Sequence, residues 1–115
     1  MTIGLQIDSE DKPPVKILRL EGRLDATSAP NLEQVLNEHT SKEGTKILLD
    51  FSRIEYLSSA GMRLLLSASK KAKASGGVVA FCSLNEDVME IIKMAGFERI
   101  LQIYSTEQEA LGQIK

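Results

Sequence analysis

The chain has 115 residues, 43% of them hydrophobic and 26% charged, which leaves room for a single compact domain (1–115) with one apolar core and argues against disorder. Its 14 basic and 16 acidic residues are mixed along the sequence and leave a net charge of −2, so no basic stripe of the kind that grips a nucleic-acid backbone is visible. No apolar run approaches the roughly 20 residues of a membrane span, so neither nucleic acid nor membrane is expected as a partner.

Ile3, Leu5 and Ile7 alternate with polar Gln6 and Asp8, which predicts a strand over 3–8 rather than a secretion signal. The expected compartment is therefore the cytoplasm. Residues 11–14, Asp-Lys-Pro-Pro, read as a turn, and 15–20 as a second strand closed by Gly22. A first helix is expected to start near Ser28, whose hydroxyl suits an unpaired first-turn amide, with Pro30 tolerated just inside. Leu32, Val35 and Leu36 then fall on one buried face. The only histidine, His39, continues that stripe with no second His, Cys or carboxylate cluster beside it, and reads as a packing or capping residue.

The run Ile47-Leu48-Leu49 before Asp50 suits a central strand covered on both faces. Residues 59–75 read as a helix ending at Gly76-Gly77, with Lys70, Lys71 and Lys73 on its wet face and last turn. A further buried strand is expected over 78–82, which makes the lone Cys82 a small core hydrophobe rather than a nucleophile. Asn85 is placed to cap a helix with a core stripe of Val88, Ile91, Ile92 and Ala95, stopped by Gly96. A short strand over 100–104 follows, and Thr106-Glu107-Gln108-Glu109 has the spacing of a capping box before a last short helix. Strands alternating with helices predict an α/β domain: a mixed sheet with parallel inner strands, an N-terminal hairpin and about four covering helices.

The chemistry-bearing stretch is Tyr56-Leu57-Ser58-Ser59-Ala60-Gly61-Met62-Arg63, between a buried strand and a helix. A hydroxyl at such a turn is either a helix cap or an exposed acceptor for modification. On the helix itself, Gly61, Leu64, Leu65, Ala68 and Ala72 form a narrow core stripe. That orientation turns Met62 and Leu66 toward solvent or its edge, as candidate anchors for a partner.

This segment resembles the phosphorylation loop of STAS-domain anti-sigma factor antagonists, in which an Asp-Ser-Ser-Gly or Ser-Ser-Ala-Gly turn precedes the second helix. The resemblance extends to Gly22-Arg23-Leu24-Asp25-Ala26, similar to the family's Gly-x-Leu-Asp element, to Ile47-Leu48-Leu49-Asp50, to Gly76-Gly77 and to Ala95-Gly96-Phe97. It implies a STAS fold over the whole chain and a phosphorylated serine at Ser59. Ser58 takes the preceding position, often Asp in the family, so this loop lacks one fixed negative charge and Ser58 stays the second candidate. It also implies a partner surface that includes Asp25, Ser58 and Ser59 beside Met62 and Leu66. The unphosphorylated form would bind an anti-sigma factor serine kinase, which holds the ATP, and so release a sigma factor. A serine phosphatase would act on the phosphorylated form. No cofactor and no metal are implied. An adapter of the same fold in a partner-switching or sensory complex, with an output other than sigma release, is the alternative.

An enzyme reading fails on chemistry. A nucleophile elbow needs Gly-x-Ser-x-Gly, and Leu57-Ser58-Ser59-Ala60-Gly61 lacks the first glycine. The only histidine lies in the first helix, with no reason to reach Ser59.

Overall fold

The computed structural model describes residues 4–114. Strand β1 (Leu5–Lys12) runs antiparallel to β2 (Val15–Leu24), and only Pro13 and Pro14 separate them. Asp11 and Lys12, expected in the turn, are strand residues because the register gives each a partner. Asp11 lies opposite Lys16, and their side chains pair at 2.8 Å. Ile3, the first residue of the expected strand, lies outside the described residues.

Then follow α1 (Ala29–Thr40), β3 (Lys46–Leu57), α2 (Ser59–Ala74), β4 (Val78–Cys82), α3 (Glu86–Met94), β5 (Gln102–Tyr104) and α4 (Glu107–Gln113). The strands stand in the order β1-β2-β3-β4-β5, and each neighbouring pair after the hairpin is parallel. The mixed sheet with its N-terminal hairpin and four helices is the architecture that the alternating patterns predict.

The sheet has two unequal faces. Leu18, Leu20, Ile47, Leu49, Phe51, Val79 and Phe81 meet the apolar stripes of α1, α2 and α3 in the main core, where Phe51 and Phe81 pack edge to face at 5.8 Å between ring centres. On the other face Val15, Ile17, Leu48, Ala80 and Cys82 are covered by Ala110 and Ile114, from α4 and its C-terminal end. Burial pushes the Cys82 thiol up to about 11, in keeping with a packing role. A polar clasp holds α4 in place. Arg19 donates to Glu107 at 2.7 Å, to Asp50 at 2.9 Å and to Glu10 at 2.9 Å. These four residues come from β1, β2, β3 and α4.

Gly22 does not end β2. It stands at φ 116°, a conformation that favours glycine, beside register shifts between β2 and β3. Past this irregularity the two strands run on until Leu24 lies opposite Leu57. Strand β3 outlasts its apolar run for a related reason: Ile54 and Leu57 keep it on the core while Ser52, Arg53, Glu55 and Tyr56 face outward. The long β2–β3 ladder delivers two chain reversals to one end of the sheet.

Helix ends follow the expected capping at three of four starts. Ser58 accepts from the Gly61 amide at 3.1 Å, Asn85 from Val88 at 2.8 Å, and Thr106 from Glu109 at 3.0 Å. Ser28 is the exception. Its hydroxyl turns back to donate to the Arg23 carbonyl at 2.7 Å and caps no helical amide. Two other expectations change. Ala95 is exposed at the end of α3, so the buried stripe stops at Ile92. Ile100 is about half exposed and precedes β5 rather than opening it.

Candidate functional site

The site begins with one backbone contact. The Ser58 amide donates to the Leu24 carbonyl at 2.9 Å, just where the β2–β3 ladder ends. Ser58 itself is extended (φ −87°, ψ 170°), its hydroxyl accepts from Gly61, and its carbonyl accepts from the Met62 amide at 2.9 Å. Its side chain is therefore engaged as the α2 cap. Ser59, the first residue of α2, is exposed, and its hydroxyl has no hydrogen-bond partner among the described residues. Of the two hydroxyls in the turn, one is used by the fold and the other is open to solvent.

Gly61 lets α2 approach this closely. A Cβ there would stand 2.8 Å from the Leu24 carbonyl oxygen and 2.9 Å from the Leu24 side chain. The helix start is thus seated directly on the end of β2. Buried Leu64, Leu65, Ala68 and Ala72 continue the seam, as their spacing predicts.

The neighbouring loop, from Leu24 to α1, is held by Asp25. Its Oδ1 accepts from the amides of Thr27 at 3.0 Å and Ser28 at 3.1 Å, and its own amide donates to the Ser28 hydroxyl at 3.0 Å. The hydrogen bond from the Ser28 amide is the largest influence holding its carboxyl below the usual carboxylate range. Asp25 thus closes the loop ahead of α1, and its backbone carbonyl, not its side chain, accepts from the first helical amide, that of Ala29, at 2.8 Å. Its carboxylate stays partly exposed, 3.9 Å from the Arg23 guanidinium. Arg23 in turn lies over the Tyr56 ring, 4.4 Å from its centre, across the last pairs of the ladder.

Between the two reversals runs an open groove of about 300 Å³, bordered by Ala26, Ala29 and Glu33 on one side and Ala60, Arg63 and Ser67 on the other. Of the two expected apolar anchors, Met62 is withdrawn into the fold and Leu66 stands at its edge. Met62 is 4% exposed and belongs to the main core, and Leu66 is partly buried against it. Helix α2 packs on β3, β4 and α1 together, so its buried arc is wider than the narrow small-residue stripe implies. Periodicity does not single out Tyr56 or Arg63. Their signal in the sequence is positional: Tyr56 precedes the turn by two residues, and Arg63 follows Ser59 by four.

The sequence model of the STAS domain matches residues 6–110. An anti-sigma F factor antagonist from Paenibacillus polymyxa is 28% identical over 114 residues, spanning 98% of this chain and 97% of the relative. The anti-sigma-F factor antagonist RsfB of Mycobacterium tuberculosis is 29% identical over 114 residues, spanning 97% and 91%. A crystal structure of an anti-sigma factor antagonist from Mycobacterium paratuberculosis superposes with a TM-score of 0.87 at 22% identity, over 96% of this chain and 94% of that one, a likeness of fold.

Proposed function

The chain belongs to the STAS domain family, and from that premise we propose that it is an anti-sigma factor antagonist switched off by phosphorylation of Ser59. Unphosphorylated, it binds an anti-sigma factor that is also a serine kinase, and the sigma factor is released. The kinase brings the ATP and phosphorylates Ser59, the complex is lost, and a serine phosphatase restores the active form.

The observation that carries this reading is the division of labour in the turn. Ser58 is spent on capping α2, whereas Ser59 is exposed and unpartnered at the first helical position. A phosphate there adds about −1.5 to −2 charges at neutral pH. The chain itself tolerates that charge, since helix-start amides and the helix dipole favour anions. A partner packed over the groove meets a bulky hydrated anion instead. Asp25, at the end of the strand next to the α2 start, supplies the neighbouring edge of the binding face.

Incubation with the cognate kinase and ATP tests the assignment by peptide mass spectrometry. One phosphate at Ser59, absent from Ser59→Ala, is expected. A phosphate on Ser58 in the wild type, or one persisting in Ser59→Ala, refutes it.

A further inference from the structure

Arg63 is exposed on α2, and among the described residues it has neither a hydrogen-bond nor an ion-pair partner. It stands four positions after Ser59 in the same uninterrupted helix. Residues so spaced are neighbours on the helix surface, about 5–6 Å apart between their Cβ atoms. Direction adds to spacing, because helical side chains lean toward the helix N-terminus. An arginine at position 63 is therefore within reach of a group carried on Ser59, one turn before it on the same helix. An anion at i with a cation at i+4 is also the more favourable of the two orders. The other charged side chain along this groove is Glu33, across on α1, and no ion pair within 4.0 Å joins it to Arg63.

We propose that Arg63 is a built-in counter-ion that changes partners with the state of Ser59. It rests on the reading of Ser59 as the phosphorylated residue. Before modification the guanidinium is a free cation on the rim of the groove, offered to a carboxylate of the docking protein. After modification it folds back one turn and forms charge-assisted hydrogen bonds to the phosphate. Phosphorylation then acts twice on the partner, adding an anion and withdrawing a cation, with no movement of the backbone.

The test uses the full chain with phosphoserine placed at position 59 by genetic encoding, so that it does not depend on any kinase. Phosphorus NMR titration of this protein is compared with its Arg63→Gln and Arg63→Lys forms. With Arg63 the phosphate is expected to bind its last proton about threefold more weakly than in Arg63→Gln, because the dianion is the better partner for the cation. Arg63→Lys, which keeps the charge and loses the planar fork, is expected between the two. The Arg63 Nε–H resonance should shift on phosphorylation. Identical titration in all three forms overturns the pairing, as does an unmoved Nε–H resonance. With the kinase present, Arg63→Gln should weaken binding of the unphosphorylated chain several-fold and narrow the gap between the two states. Unchanged affinity and an unchanged gap overturn the exchange of partners. A failure of the Ser59 reading looks different: the NMR pairing stands while the phosphate leaves kinase affinity untouched.

Discussion

Ser58 and Leu24 are joined by a 2.9 Å hydrogen bond from the Ser58 amide to the Leu24 carbonyl, which fastens the start of α2 to the last residue of β2. The same residue caps the helix through its hydroxyl. The turn that exposes Ser59 is therefore held from both sides, and its geometry does not depend on the Ser59 side chain.

Replacement of the two serines should separate their roles. Ser58→Ala removes the cap and is expected to cost about 1 kcal/mol, while Ser59 remains open to phosphorylation. Ser59→Ala should leave stability within about 0.5 kcal/mol, as for an exposed residue without partners. Denaturant titration measures both. An equal loss in the two variants would contradict the division.

Gly61→Ala should destabilise despite the better helix propensity of alanine, worth up to about 1 kcal/mol. The added methyl meets a backbone carbonyl at 2.8 Å, and the carbonyl belongs to a strand already paired to β3. A net loss of about 1–3 kcal/mol is expected, as for overpacked sites. Unchanged or increased stability would show that α2 is free to shift away from β2.

The fold was legible wherever one local signal acted alone. Val78–Cys82 is a strand at the expected residues, and Asn85 and Thr106 cap their helices as their spacing predicts. Differences arise where a tertiary contact competes with the local signal. Gly22 resembles a terminator, yet the β2–β3 ladder accommodates it as an irregularity and continues. Ser28 resembles a cap, but the Arg23 carbonyl takes its hydroxyl and Asp25 receives the loop amides instead. Near the proposed site, the strand-to-helix turn ahead of α2 was readable from the motif order. The burial of Met62 was not, because helical spacing marks a face but not how far neighbouring elements close over its edge.

The α4 clasp predicts an acid-sensitive contact. Hydrogen bonding from Arg19 is the largest influence holding the Glu107 carboxyl below its ordinary value, with Lys12 adding to it. A carboxylate depressed in the folded state contributes stability above its unfolded value, and loses it as pH falls through the lower folded value. Glu107→Gln should thus be less stable than wild type at pH 7 by up to about 1 kcal/mol, given its partial exposure. The gap should close below about pH 4, under the ordinary glutamate value. Melting curves from pH 7 to pH 3 follow it, and a gap that widened on acidification would contradict the clasp.

The central claim is that the Ser59 phosphate acts on binding and not on folding. Calorimetric affinity for the anti-sigma factor kinase, measured with thermal melts on the unphosphorylated and Ser59-phosphorylated chains, tests it most directly. Affinity is expected to fall about 100-fold or more, since the interface would have to desolvate a bulky anion for which the docking protein offers no counter-charge. Stability is expected to change by no more than about 1 kcal/mol, because the phosphate sits at a helix start. Equal affinity in the two forms would contradict the account, and so would a loss of stability as large as the loss of affinity.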